Sequence, residues 1–129
     1  MSVTATALAV RHQTRYHNGD HGGIADTCKD GAGGSAGMRP HELLEAALAT
    51  CMTMTARMAS EAIGVDHACA AVTVRLARGQ ALTTVRYRLA LDPRLDADQR
   101  ATVIARVECS PVLKTLQLPL VLTPVRAEG

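Results

Sequence analysis

Cys51 and Cys109 stand 58 positions apart, and their surroundings differ. Cys51 lies in the middle of ELLEAALATCMTMTARM, a nearly unbroken run of apolar and small residues from Glu42 to Met58. Cys109 lies in VECSPVLKTL, just before a Ser-Pro step. Such a thiol can fill a core, bind a metal or react. Free Cys is among the most buried residue types, so core packing is the default for Cys51 on composition alone. The pair is not a CxxC, and its spacing fits no common metal site. A reactive reading needs a second thiol and something to hold a thiolate. Cys109 can be that second thiol, because the break before Pro111 presents it at the end of an element. Cys28, beside Lys29 and Asp30, reads as exposed and oxidisable, and Cys69 as core at the start of a strand. His17 and His21 with Cys28 could be read as metal ligands, but the segment is loop or strand, and exposed polar residues are the simpler reading.

The elements that must position these thiols follow from periodicity and punctuation. A first strand is predicted over 4–11, then short strands at Thr14–Tyr16 and Gly23–Asp26 with Asn18-Gly19 as a turn. DGAGGSAGMRP, residues 30–40, is a loop. Pro40 suits the first position of a helix, where its missing N–H costs nothing. Glu42 and Glu45 suit the positive end of the helix dipole. The helix should run to about Ile63, with Gly64 ending it. Leu44, Leu48, Cys51, Thr55, Met58 and Ala62 would share one face, and other apolar residues cover most of the rest, so this helix should be buried on more than one side.

Two alternating strands follow, with Val72, Val74 and Leu76 in the first and Val85, Tyr87, Leu89 and Leu91 in the second. Gly79-Gln80 lies between them, which predicts an antiparallel hairpin. Asp96 and Gln99 form a capping-box pattern ahead of a helix with the stripe Val103, Ile104 and Val107. Pro111 starts a short helical turn to Leu116. Leu118–Val125 is expected to be a last strand, short or at an edge because of Pro119 and Pro124. The order is that of an α+β fold in a single domain, 1–129.

Composition narrows the function. The net charge of +2 comes from dispersed basic residues, so no nucleic-acid or membrane surface is expected. No long apolar run marks a membrane span, and MSVTATALAV lacks the pattern of a signal peptide, so the expected location is the cytoplasm, with its thiols reduced. With no Phe or Trp, a core of this size gains little burial per residue, and oligomerisation is expected to add more.

RPHELLEAALATCMTMTARMASEAIG with VECSPVLKTL downstream resembles the OsmC/Ohr family of osmotically inducible and organic-hydroperoxide-resistance proteins. The likeness includes the GAGGSAG loop, the Pro40–Leu44 lead-in, the small residues Ala46, Ala47 and Ala49, and both cysteines. It implies antiparallel curved sheets packed on a long central helix in an intertwined homodimer. It also implies a cysteine-based peroxidase of the oxidative stress response, reducing organic hydroperoxides, with inorganic ones as further candidate substrates. Cys51 would be the peroxidatic thiol and Cys109 the resolving one, with an external dithiol as reductant and no cofactor or metal. The family's hydroperoxide reductases add an Arg that stabilises the thiolate and a Glu that orients the Arg. That Glu position, directly after the Pro, is His41 here. Glu42 occupies the next position, as in OsmC-like branches. Arg15 is the first candidate for the cation and Arg39 the second. The alternative function is an OsmC-like binding or redox-sensing protein with little peroxidase activity.

Overall fold

The structure is a computed structural model and describes residues 2–65 and 70–125. Cys69, expected in the core, lies outside the described residues. The chain forms two compact units, the first ending at Ala46 and the second beginning at Ala47.

The first unit holds a three-stranded antiparallel sheet, β1 (Thr4–Ala7), β2 (Thr14–His17) and β3 (Gly22–Ala25), in that spatial order. β1 is shorter than expected. The chain turns at Val10–Gln13, where the Gln13 N–H donates to the Val10 carbonyl and His12 takes a positive φ, so residues 8–11 cannot extend the strand. The Asn18-Gly19 turn forms as expected. The Asn18 side-chain oxygen accepts from the N–H groups of Asp20 and His21.

The Gly-rich loop after β3 is organised by Asp26, a buried carboxylate whose role the sequence did not reveal. It accepts from the backbone N–H groups of Thr27, Gly34 and Ala36 and from the Gln13 amide, at 2.8 to 3.3 Å. The Ala36 N–H does most to hold the Asp26 carboxyl below the ordinary carboxylate range. Burial opposes it, and the Thr27 and Gly34 N–H groups and the Gln13 amide add to it. Gly37 is required where the loop returns to β3, because a Cβ there would collide with the Ile24 carbonyl.

α1 spans Pro40–Ala62, with Pro40 at its first position. It closes in a Schellman arrangement. The Val65 N–H donates to the Ser60 carbonyl, the Gly64 N–H to that of Glu61, and Gly64 takes φ +81°. In the second unit the buried stripe of α1 is Leu48, Met52, Ala56, Ala59 and Ser60, which corrects the expected face by about one residue's turn of the helix. Leu44, Met54 and Met58 remain 52%, 60% and 58% exposed, so α1 buries one side within this chain and not several.

The stripe packs with Leu95, Val103, Val107 and Leu113. The hairpin of β4 (Ala70–Arg78) and β5 (Thr83–Leu91) covers this core with one face. Its register pairs Val72 with Leu89, Val74 with Tyr87 and Leu76 with Val85, the alternation read from the sequence. α2 (Ala97–Val107) opens with the Asp96–Gln99 capping box, both hydrogen bonds formed at 2.8 and 3.0 Å. α3 runs Pro111–Gln117.

The expected last strand is absent: Leu118–Val125 has no strand structure, and Val121, Leu122 and Val125 are almost fully exposed. A strand exists only through pairing. Among the described residues neither edge of the hairpin takes this segment, and Pro119 and Pro124 lack the N–H groups a ladder would use.

Asp26 gives a pH prediction with a definite sign. Its folded carboxyl is held low, so its contribution is present above the unfolded value, about 4, and is lost as pH falls through the folded value. Thermal unfolding measured from pH 7 to pH 2 should show stability dropping on the acid side. Asp26→Asn should be less stable at pH 7 and show a smaller acid-side drop.

Candidate functional site

Two features of the second unit place the cysteines. The buried stripe of α1 sets Met52 inside at 0% exposure, which turns its neighbour Cys51 to the stripe's edge, half-buried. The Thr55 hydroxyl donates to the Cys51 carbonyl at 2.9 Å, one turn on. The break between α2 and α3 sets Cys109. Its N–H donates to the Arg106 carbonyl, and the next residue, Ser110, is wholly buried, its N–H and hydroxyl both donating to the Val107 carbonyl. With Ser110 fixed inside and Pro111 starting α3, Cys109 is left exposed at the corner.

Both thiols open onto one groove of about 610 Å³. Its walls are Ala47, Thr50, Met54, Thr55 and Met58 of α1, then Arg106, Pro111 and Val112. The lining is mostly apolar, which suits an alkyl group on a reacting molecule. A larger groove of about 680 Å³ lies along α1 and β4, lined by Ala49, Thr53, Met54, Arg57, Met58 and Val72. No cysteine is among its described lining residues, whereas the smaller groove carries both Cys51 and Cys109.

The other expected residues are placed as follows. Arg15 is exposed on β2, in register with Ile24 and Thr6. Glu42 is exposed in the first turn of α1, and its carboxylate accepts the Arg39 backbone N–H at 2.9 Å. That is half of a capping box: Glu42 satisfies one of the N–H groups left open at a helix start. Arg39 and His41 are exposed beside it. These four residues belong to the first unit and the two thiols to the second. The cation that does line the thiol groove, Arg106, was missed. The readable signal was its spacing: three residues before Cys109, at the end of an expected helix, it falls on the thiol's own side. Among the described residues no three His, Cys, Asp or Glu side chains converge as metal ligands.

A sequence model of the family described as OsmC-like protein matches residues 31–124. No curated protein matches the chain. Solved structures share the fold. One from Psychrobacter arcticus 273-4, provisionally described as an osmotic stress induced and detoxification response protein, is 20% identical with a TM-score of 0.70, over 89% of this chain and 87% of that one. An organic hydroperoxide resistance protein OsmC of Legionella pneumophila is 14% identical with a TM-score of 0.60, over 91% and 90%. The organic hydroperoxide resistance protein OhrB of Bacillus subtilis is 17% identical with a TM-score of 0.59, over 90% and 89%.

The hydrogen bond from Arg39 to Glu42 makes Glu42→Ala a stability variant. It should unfold with a loss of about 0.5–1 kcal/mol, measured by denaturant titration at neutral pH. A variant as stable as the parent would show that this bond contributes nothing in solution.

Proposed function

The chain belongs to the OsmC-like protein family, and from that premise we propose that it is a thiol-dependent peroxidase for organic hydroperoxides. The observation that carries the proposal is that Cys51 and Cys109 line one apolar groove. The Cys51 thiolate attacks the distal oxygen of the hydroperoxide. An S–O bond forms, the O–O bond breaks, and the alkoxide leaves and takes up a proton as the alcohol. Cys109 then attacks the Cys51 sulfenic acid. The S–S bond forms, the S–O bond breaks, and hydroxide departs as water. An external dithiol reopens the disulfide by exchange and is itself oxidised.

The family resemblance calls for an Arg that stabilises the thiolate and a Glu that orients it; Arg15, then Arg39, is the candidate for the first role and Glu42 for the second. The working form is a homodimer. Leu44, Met54 and Met58 leave an apolar face open on α1, and Leu118–Val125 is an apolar segment without a pairing partner among the described residues. Surfaces of this kind are characteristic of subunit contacts. Among the described residues no helix is long and apolar enough to cross a membrane. The cytoplasm would keep the thiols reduced between turnovers. A second reading, a binding or redox-sensing protein with little turnover, draws support from His41, which stands where the family's hydroperoxide reductases carry Glu.

Peroxide consumption by cysteine variants separates the two. Cys51→Ser should abolish reduction of an organic hydroperoxide. Cys109→Ser should consume about one equivalent and stop, held at the sulfenic acid or a higher oxide. Parent protein that reduces no hydroperoxide with either a dithiol or a monothiol present would favour the second reading. Sedimentation at micromolar concentration should show a dimer, and a stable folded monomer would overturn that assignment.

A further inference from the structure

We infer that Arg106 serves the resolving half of the reaction, stabilising Cys109 as a thiolate for its attack on the oxidised Cys51. The inference rests on the peroxidase reading for its chemistry and on the groove for its geometry.

Arg106 lies in the last turn of α2, and Cys109 follows at i+3 with the backbone still helical at Glu108. The Cys109 N–H donates to the Arg106 carbonyl, so the two residues lie on one side of the helix end. Both side chains line the groove that Cys51 also lines. Among the described lining residues Arg106 is the one charged group, and it forms no ion pair with any described residue. Apart from Arg106, the charged residues nearest Cys109 along the chain are Glu108 and Lys114. Both are exposed, and neither lines the groove. No carboxylate in the lining therefore competes for the guanidinium.

The chemistry of the step calls for this charge. Resolution needs a thiolate at Cys109, since the thiol is a weak nucleophile. Cys109 is exposed at the corner before α3, where the solvent-facing negative end of α2 works against an anion. A positive charge lining the same groove, three residues before the thiol, opposes that effect. As Cys109 attacks, its sulfur loses the negative charge and hydroxide leaves from Cys51 within the same groove. A cation there stabilises the anion before and after the S–O bond breaks. Arg106 acts through Cys109 and need not touch the hydroperoxide.

Site-specific alkylation followed by mass spectrometry tests the electrostatic claim without any peroxidase assay. In Arg106→Gln, alkylation of Cys109 by iodoacetamide at pH 7 should slow by about two- to fivefold, the range of an exposed charge pair. The difference should shrink in about 1 M salt and vanish in strongly alkaline buffer, where both thiols are ionised. Arg106→Lys should restore most of the rate. After one equivalent of organic hydroperoxide, Arg106→Gln should close its disulfide more slowly by the same factor, trapping more Cys51 sulfenic acid with a dimedone probe. A residue that merely caps α2 would change the melting temperature and leave the pH profile of Cys109 where it was. Unaltered Cys109 alkylation in Arg106→Gln, or a change confined to Cys51, overturns the inference whatever the peroxide assay gives. Absence of hydroperoxide reduction by the parent protein counts against the proposed function, and Cys109 alkylation still decides the charge effect.

Discussion

The choice of which side of α1 faces its own chain controls everything around the thiols. α1 is apolar nearly all round, so hydrophobicity alone does not select a face. The selection comes from shape. Ala56, Ala59 and Ser60 are small and buried, and Leu48 and Met52 supply the bulk of the face that packs with Leu95, Val103, Val107 and Leu113. Truncating a side chain as buried as Met52 costs roughly 2–5 kcal/mol. That is a large share of a total stability of order 5–15 kcal/mol. The chosen face leaves Cys51 at the boundary between core and groove, half-covered and reachable. Rotation by one residue would bury it as packing or expose it fully to water.

A second constraint fixes the partner. Ser110 is wholly buried, yet its polar groups are satisfied by the Val107 carbonyl, so the corner between α2 and α3 is held without a side-chain cap. Pro111 then begins α3 at a position where its missing N–H is harmless. Cys109 is outside because Ser110 is inside. Arg106 and Cys109 reach one groove because the helical turn continues through Glu108. Core packing of Val103 and Val107 thus sets the chemistry of a residue that is not itself in the core.

Most of the secondary structure was legible because local chemistry and periodicity agreed: Pro40 and Gly64 for α1, Asp96 and Gln99 for α2, and the alternation of Val72–Leu76 and Val85–Leu91. The two thiols were singled out through motif and context, and both line one groove. Three features were not legible. Leu118–Val125 has strand composition, but a strand is made by its partner, and no sequence window contains the partner. The buried stripe of α1 depended on packing with Leu95, Val103, Val107 and Leu113, which are distant in sequence. Asp26 read only as the last residue of a short strand, and the return of the chain at Gly34 and Ala36 turns it into the organiser of the loop. Arg106 falls between these cases, since its spacing to Cys109 was visible and its groove was not.

Peptide mapping after exposure to one equivalent of an organic hydroperoxide tests the central claim most directly. A disulfide requires Cα atoms within about 7 Å, so a bond between residues of α1 and the α2–α3 corner reports on the groove itself. The account predicts a Cys51–Cys109 disulfide as the main product, with Cys28 still alkylatable. A disulfide that uses Cys28 while Cys51 remains a free thiol would contradict it.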